Sequence, residues 1–146
     1  MKIAVGSDHA GFKGKQAVVD YLRSRNHVVE DVGTHTEDSV DYPDYARPVA
    51  ERVARGTSDL GVLLCGTGIG MCIAANKVPG VRAAVVWSSE TARLAAAHNK
   101  ANVLCLSGRF FEASDLVRMI QVWLDTPFGE IRHLLRVRKI EAMDEG

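Results

Sequence analysis

The sequence predicts an α/β domain in which five parallel strands alternate with crossover helices. Short runs of apolar and β-branched residues recur along the chain, and the segments that separate them show helical spacing. The 146 residues, 47% of them hydrophobic, are enough for one domain to bury most of its apolar surface. Because no repeat, low-complexity segment or linker divides the chain, we expect a single domain over residues 1–146.

The strand signals come in chain order, each followed by a segment with helical spacing. Strands are predicted at residues 2–6, 27–32, 60–65, 81–87 and 103–107. The first helix, at roughly 11–25, buries Val18 and Leu22, although Gly14 in its interior costs about 1 kcal/mol relative to alanine. An irregular stretch at roughly 33–43 follows the second strand, and loops of this length often rim a functional site.

Apolar stripes predict three of the later helices. The residues that share a helical face are Tyr45, Val49 and Val53 in the second helix, Ala113, Leu116, Val117, Ile120 and Leu124 in the fifth, and Ile131, Leu134 and Leu135 in the last. The last helix is expected at about 128–142. Arg132 and Arg136 fall on another of its sides.

Charge and cysteine content limit the kinds of binding partner and the cell compartment that we expect. Eighteen Lys and Arg balance eighteen Asp and Glu, which favours neither a nucleic-acid nor a membrane-surface partner. The three cysteines lack disulfide-framework and Cys-x-x-Cys spacing, as expected in a reducing compartment, and Cys72 and Cys105 are expected to be inert core thiols. The chain begins directly with a strand pattern and has no apolar run near the ~20 residues of a membrane span. We therefore expect a cytoplasmic protein without a leader.

Residues 60–71, Leu-Gly-Val-Leu-Leu-Cys-Gly-Thr-Gly-Ile-Gly-Met, place a thiol beside bare backbone. The apolar strand ends at Cys65, and Gly66, Gly68 and Gly70 then lead into a predicted helix start. Glycine at alternate positions exposes amide N–H groups, and a helix N-terminus adds partial positive charge there. A phosphate, carboxylate or enediolate fits such a cradle. The alternative is a tight turn with Cys65 as a small buried hydrophobe.

Ligands of open parallel sheets bind outside the carboxyl ends of the strands, so the residues that follow each strand belong together. These residues are Ser7, Asp8, His9 and Gly11 after strand one, Cys65 and the glycine loop after strand three, and Ser107, Gly108 and Arg109 after strand five. The helix after strand four ends at His98 and Asn99. Arg132 and Arg136 have the i,i+4 spacing that suits the binding of one phosphate. Together with the residues that follow the strands, they indicate an anion site around one edge of the sheet.

Each of these side chains also has a purely structural interpretation. Asp8 is placed to cap the first helix, and His98 is placed to complement a helix C-terminus. Arg109 fits a solvated loop, and Arg132 and Arg136 fit a solvated helical face. No single one of them decides between structure and function.

Five short motifs carry a family resemblance. They are Gly6-Ser-Asp-His-Ala-Gly11, Asp41-Tyr-Pro-Asp-Tyr45, Cys65-Gly-Thr-Gly-Ile-Gly70, Ala75-Asn-Lys77 and His98-Asn99. Together they resemble type B ribose-5-phosphate isomerases, a family that includes galactose-6-phosphate isomerase subunits, and the match runs over nearly the full chain. One branch of that family carries a catalytic glutamate just after the glycine loop, where this chain has Met71, so the resemblance is to the branch that uses a cysteine.

The resemblance implies a Rossmann-like three-layer sandwich with an extra C-terminal helix that packs on a partner subunit. It implies an aldose–ketose isomerase without metal or cofactor, acting on a sugar phosphate as a homodimer or a dimer of dimers whose active sites are shared between subunits. By the same resemblance, Cys65 is the base that moves a proton between C1 and C2. Thr67 contacts the sugar oxygens and assists proton transfer between them, and His98 opens the furanose ring.

The remaining implied site residues bind the substrate. The amides of Gly66, Gly68, Ile69 and Gly70 would hold the enediolate. The side chains of Asp8, His9, Asn99, Arg109, Arg132 and Arg136 would hold sugar or phosphate oxygens. Ribose 5-phosphate is the expected aldose, and a six-carbon aldose phosphate such as allose 6-phosphate or galactose 6-phosphate is the alternative. Two more distant alternatives are a covalent thiol enzyme and a nucleotide-binding sensor.

Overall fold

The computed structural model describes residues 1–145, which form a five-stranded parallel sheet with helices on both faces. The strands are β1 (Lys2–Ser7), β2 (Val28–Asp31), β3 (Leu60–Cys65), β4 (Ala83–Val85) and β5 (Val103–Ser107). The helices are α1 (Phe12–Ser24), α2 (Pro43–Arg55), α3 (Ile69–Ala75), α4 (Ser89–Ala97), α5 (Ala113–Asp125) and α6 (Ile131–Ala142), with a 3₁₀ turn at Met143–Glu145. The predicted fold class is confirmed, while the two edge strands β2 and β4 are shorter than their apolar runs indicated.

The strand order β2-β1-β3-β5-β4 determines where a ligand can bind. The chain leaves β1 toward β2 on one side and returns to β3 on the other, and this reversal opens a crevice at the carboxyl ends of β1 and β3. A second reversal places β5 between β3 and β4. The register pairs Ser7 with Leu64 and Cys65 with Ser107, so the ends of β1, β3 and β5 meet at one edge.

Right-handed crossovers distribute the helices over the two faces of the sheet. Helices α1, α4 and α5 cover one face, whose core includes Val5, Leu64 and Leu106. Helices α2 and α3 cover the other face, whose core includes Leu63 and Met71. Because both faces are covered, the central strands are continuous apolar runs rather than alternating ones.

Gly14 lies in the interior of α1, where α1 packs closely against α5 and β3. A Cβ atom at this position would lie 2.8 Å from Cδ1 of Leu116 and 3.1 Å from Cδ2 of Leu64. The helix therefore uses glycine for close packing, which offsets its conformational cost. The predicted buried side chains of α1, Val18 and Leu22, are fully inaccessible to solvent.

The buried face of α5 is shifted from the predicted stripe. It consists of Leu116, Met119, Ile120 and Trp123. Ala113 is exposed in the first turn. Met119 and Trp123, each three residues after a predicted stripe residue, extend the face toward α4 and were not part of the predicted stripe.

Helix α6 leaves its predicted apolar face open. Ile131 and Leu135 are 77% and 56% exposed, whereas His133 and Val137 are the buried residues of this helix. Large apolar side chains that remain exposed beside polar ones are typical of a surface that contacts another protein.

Within residues 1–145, no helix is long and apolar enough to cross a membrane.

Asn76 closes the free edge of β4. Its Oδ1 accepts a hydrogen bond from the N–H of Ala83 at 2.8 Å, and its Nδ2 donates to the carbonyl of Ala83 at 2.9 Å. A bare edge strand presents unpaired backbone groups to other chains. The side-chain amide occupies both groups of Ala83, so this motif residue has a structural role in the fold.

Candidate active site

Cys65 ends the central strand β3 directly before the glycine loop. The residue is only 4% exposed, and its Sγ accepts the backbone N–H of Gly68 at 3.1 Å. The sulfur thus accepts a hydrogen bond, which a small apolar side chain in its place could not do. The thiol is therefore a hydrogen-bonded polar group rather than apolar filling.

The glycine loop turns sharply and presents free amide groups. Gly68 has a φ of 83°, and a Cβ atom there would lie 3.0 Å from the backbone of β5, so only glycine fits. The Oγ1 of Thr67 accepts the N–H of Ile69 at 3.1 Å. The N–H groups of Gly70 and Met71, in the first turn of α3, make no hydrogen bond within residues 1–145. An oxyanion above the loop would meet these two donors.

The end of β5 supports the glycine loop. The Oγ of Ser107 donates to the carbonyl of Gly66 at 2.6 Å, and the N–H of Gly108 donates to the carbonyl of Cys65 at 2.8 Å. A Cβ atom at Gly66 would lie 3.0 Å from Nη2 of Arg109. The Arg109 guanidinium therefore lies over the loop, which places this predicted cation next to the thiol.

The turn after β1 brings Asp8 and His9 beside the end of β3. The N–H of Asp8 donates to the carbonyl of Leu64 at 3.2 Å, and its Oδ1 accepts the N–H of Gly11 at 3.0 Å. Asp8 thus closes the turn that leads into α1 but is not its N-cap, because that position is Gly11 and no side chain caps the helix. The Oδ2 of Asp8 makes no hydrogen bond within residues 1–145. The Nδ1 of His9 accepts the N–H of Val40 at 3.1 Å. That contact leaves Nε2 as the protonated nitrogen of a neutral ring.

The loop between β2 and α2 forms a rim over these residues, as its length indicated. Its contact with His9 ties it to the turn after β1. Tyr42 lies at the end of the loop, and a Cβ atom at Gly70 would lie 2.6 Å from Cζ of the Tyr42 ring. The sequence analysis did not assign Tyr42 to the site. The available signal was its position in the Asp41-Tyr-Pro motif directly before a helix.

We call the residues at this end of the sheet the carboxyl-edge cluster; they are Asp8, His9, Cys65, Thr67, Arg109 and the backbone of Gly66–Gly70. The other predicted side chains, which we call the amino-edge cluster, are His98, Asn99, Arg132 and Arg136. His98 is the C-cap residue of α4, and the N–H of Gly129 donates to the carbonyl of Ala97 at 2.9 Å, so α6 starts beside the end of α4.

The two clusters lie at opposite ends of the sheet. Asn102, just before β5, accepts the N–H of Gly61 at the start of β3, so the segment after α4 is at the amino ends of the strands. From Val103 to Ser107, which pairs with Cys65, β5 rises by about 13 Å at ~3.3 Å per residue. The expectation that all the predicted residues surround one edge is therefore wrong for a single chain. The reason is that crossover helices run antiparallel to the strands, so α4 ends where the strands begin.

His133 is a member of this region that the sequence analysis missed. Its ring stacks on the His98 ring, with centroids 4.0 Å apart and an interplanar angle of 18°. Burial lowers the pKa of His133, and the charges of His98 and Arg132 lower it further. The available signal was its position between Arg132 and Arg136 on the same helix.

The other two cysteines differ from each other. Cys105 is fully buried, and burial raises its pKa, as expected for an inert core thiol. Cys72 is half-buried, and a hydrogen bond with Cys105 lowers its pKa to about 7, so it departs from that expectation. Among residues 1–145, no group of three or more His, Cys, Asp or Glu side chains is placed to hold a metal ion.

Comparison with known proteins decides the family. The profile of the Ribose/Galactose Isomerase family matches residues 3–140. This chain belongs to that family. A probable ribose-5-phosphate isomerase B of Mycoplasma genitalium is 44% identical over 94% of this chain and 92% of its own length.

Solved structures of family members have the same fold. The ribose-5-phosphate isomerase B of Clostridium thermocellum superposes with a TM-score of 0.97 at 46% identity, covering 99% of this chain and 98% of its own. The Mycoplasma genitalium enzyme with bound ribulose-5-phosphate superposes with a TM-score of 0.95 at 42% identity, covering 99% of this chain and 96% of its own. The family's Rossmann-like three-layer architecture therefore extends over this chain.

Proposed function

We propose that this protein is an aldose–ketose isomerase that interconverts ribose 5-phosphate and ribulose 5-phosphate by proton transfer through an enediolate. The observation that carries this proposal is the hydrogen-bonded Cys65 thiol directly before a glycine loop with free amide groups. The structural relative with bound ribulose-5-phosphate supports the choice of sugar. The reaction belongs to the cytoplasm, where pentose phosphates are used.

Cys65 is the base of the proton transfer. As a thiolate it removes the proton from C2 of the open aldose and returns it to C1. Between the two steps the oxygen at C1 carries the enediolate charge, and the hydroxyl proton of O2 moves to O1, so that C2 becomes the carbonyl carbon of the ketose. A positioned base contributes about 10²–10⁴-fold. The amides of Gly70 and Met71 face the developing oxyanion, at roughly 10²–10³-fold for each well-placed donor. Thr67 lies between these groups and contacts the sugar hydroxyls.

The remaining predicted residues open the ring and hold the substrate. His98 gives a proton to the ring oxygen as the furanose opens, and Asn99 holds the sugar beside it. Asp8, with its free Oδ2, and His9, with its Nε2–H, contact sugar oxygens at the carboxyl edge. Three guanidinium groups bind the phosphate or neighbouring oxygens, and they belong to Arg109, Arg132 and Arg136.

The active site is shared between two protomers of a homodimer, which pair further where the protein forms a dimer of dimers. Within one chain the ring-opening group and the base are about a strand length apart, so the amino-edge cluster of one protomer serves the carboxyl-edge cluster of its partner. The exposed Ile131 and Leu135 of α6 support this arrangement. So does an open groove of about 340 Å³ beside Thr67, whose lining includes Trp87 and Phe110.

The test is turnover of three aldose phosphates by the purified protein in the presence of a chelator. Ribose 5-phosphate, allose 6-phosphate and galactose 6-phosphate are incubated in parallel, and ketose formation is followed with Cys65→Ser as the control. We expect cysteine-dependent conversion of ribose 5-phosphate at the highest kcat/KM. Preferential conversion of a hexose phosphate would move the substrate to six carbons, and no conversion of any of the three would overturn the proposal.

A further inference from the structure

The rings of His98 and His133 stack on each other outside the carboxyl-edge cluster. The ring centroids are 4.0 Å apart and the planes differ by 18°. His133 is 6% exposed, and its Nε2 is buried without a hydrogen-bond partner within residues 1–145. A buried polar atom without a partner destabilises a fold. Filling the core therefore does not explain a histidine here, since an apolar side chain would fill it at no such cost.

Backbone contacts hold both rings in place. The N–H of Gly129 donates to the carbonyl of Ala97 at 2.9 Å, next to His98 at the end of α4. The N–H of His133 donates to the carbonyl of Glu130 at 3.0 Å in the first turn of α6. The first bond joins the start of α6 to the end of α4, and the second fixes the turn of α6 that carries His133, so the backbone on both sides of the stack is held.

The charges around His133 keep its ring neutral. The groups that face it are His98 from the end of α4 and Arg132, Arg136 and Glu130 from α6 and its cap. Three of these four carry or can carry positive charge, and burial adds to their effect. Two imidazolium rings stacked at this distance repel each other. A positive charge on the more accessible ring, His98, therefore keeps His133 neutral.

We propose that His133 is a positioning residue whose neutral, buried ring fixes the His98 imidazole for ring opening, a role that rests on the proposed isomerase function. During that step the bond between C1 and the ring oxygen breaks, the ring oxygen takes a proton from His98, and the anomeric hydroxyl releases its proton to water. His133 touches neither the sugar nor the phosphate. It acts by holding the ring that does.

The position of His133 on α6 adds a second consequence. Arg132 precedes it and Arg136 follows one turn later, so the helix that supports His98 also carries two of the proposed phosphate ligands. The stack therefore sets the distance between the group that opens the ring and the groups that hold the phosphate. Without the stack, the arginines would still bind the phosphate, but His98 would sample several orientations.

The test compares His133→Leu with His133→Phe on two substrates. Leucine fills the site without a flat ring, whereas phenylalanine restores a stacking ring without a titratable nitrogen. Each variant is assayed on ribose 5-phosphate and on its 4-deoxy analogue, which cannot close a ring. Loss of a stack of this kind predicts a fall in kcat on ribose 5-phosphate of about five- to tenfold for His133→Leu, with KM and turnover of the 4-deoxy analogue little changed. His133→Phe should restore most of the activity.

Three outcomes would overturn the proposal. They are unchanged turnover of ribose 5-phosphate by His133→Leu, equal loss on both substrates, and equal loss in His133→Phe and His133→Leu. A thermal melt of each variant separates loss of folding from loss of activity. Wild-type protein that converts neither substrate would instead count against the proposed isomerase function.

A measurement on the wild-type protein does not depend on any variant folding or on any activity. Histidine ring resonances are followed by NMR from about pH 8 to about pH 5.5, the range in which histidines titrate. We expect the His133 resonance to keep its neutral position to a lower pH than an ordinary histidine does. Titration of His133 at or above the ordinary pKa of histidine, about 6.5, would overturn the proposal.

Discussion

The two ends of the sheet carry very different kinds of site. At the carboxyl edge, Cys65, Asp8 and the glycine loop are buried or half-buried, and each makes a hydrogen bond to its neighbours. At the amino edge, Arg132 and Arg136 are exposed, and His98 is held by its stack on His133. The groups of the first are fixed by hydrogen bonds, and the second is a set of mostly exposed side chains. In the proposed shared site, one chain therefore supplies both clusters but does not bring them together.

Mixing two inactive variants tests that lesson with the largest expected effect. Cys65→Ser removes the base from one cluster, and His98→Asn removes the ring-opening group from the other. In a mixed dimer, one of the two sites combines an intact Cys65 with an intact His98. Random exchange of protomers in a two-fold dimer should restore about a quarter of the wild-type rate on ribose 5-phosphate. The measurement is the initial rate after the two proteins are unfolded and refolded together.

The control is each variant refolded alone, which should stay inactive. A mixture of Cys65→Ser with Cys65→Ser/His98→Asn should also stay inactive, because no intact Cys65 is present. If the first mixture gains nothing while size-exclusion chromatography shows mixed dimers, the clusters do not serve each other across an interface.

The two thiols nearest the glycine loop offer a sharper comparison inside the carboxyl edge. Cys65→Ser should lower kcat by about 10²–10⁴-fold, because a hydroxyl is a much weaker base than a thiolate, while the KM stays close to that of the wild type. Cys72→Ser, one helix turn beyond the loop, should keep the rate within about twofold, since surface-side substitutions of similar size rarely disturb a site. Steady-state kinetics on ribose 5-phosphate measures both.

Cys72 is a demanding control because its thiol has a lowered pKa. Its pKa is lowered to about 7 by the hydrogen bond with Cys105, so it is partly ionised at neutral pH. A thiolate alone therefore does not make a base for this reaction. If Cys72→Ser lost as much activity as Cys65→Ser, the assignment of the base to the residue before the glycine loop would have to be given up.

The sequence was sufficient for the fold and for the carboxyl edge because both depend on local signals. Apolar runs mark the strands, and Cys65 with its alternate glycines marks the loop. Chain order also places Asp8 and Arg109 after strands, which parallel pairing brings to one edge. The position of Tyr42 over Gly70 could not be predicted in this way, since it depends on the path of the long loop between β2 and α2.

The amino edge could not be predicted from local signals alone. His98 ends a helix, and whether that helix ends near the strand carboxyl or amino ends depends on its direction in the crossover. His133 was missed because a histidine between two arginines resembles a solvated face until α6 is packed on α4. Ile131 and Leu135 lie on one side of α6 as predicted, but nothing else in residues 1–145 buries that side.

Removal of both arginines of α6 tests the ligand role of the amino edge, with a smaller expected effect. Arg132→Gln/Arg136→Gln should raise the KM for ribose 5-phosphate by about 10- to 100-fold, since each charge-assisted hydrogen bond is worth roughly 1.5–3 kcal/mol, with a smaller change in kcat. Arg138→Gln, exposed on the same helix, is the matched control and should behave like the wild type. An unchanged KM in the double variant would remove these arginines from the phosphate site.

The smallest expected effect concerns stability as the pH falls. Burial lowers the pKa of His133, and burial with the N-terminal charge lowers that of His27, so the unfolded chain takes up protons at these positions more readily than the folded one. Stability should therefore decrease as the pH drops below about 6.5, the ordinary pKa of histidine. The carboxyl groups of Glu30, Glu51 and Glu90, whose pKa values are lowered by paired cations, lose their stabilising contribution only at lower pH.

Thermal melts at fixed protein concentration should show that Tm depends less on pH near pH 6 in His133→Phe than in the wild type. His27→Gln, which removes the other histidine with a lowered pKa, is the comparison. An equally steep profile in His133→Phe would mean that His133 is not held neutral in the folded protein.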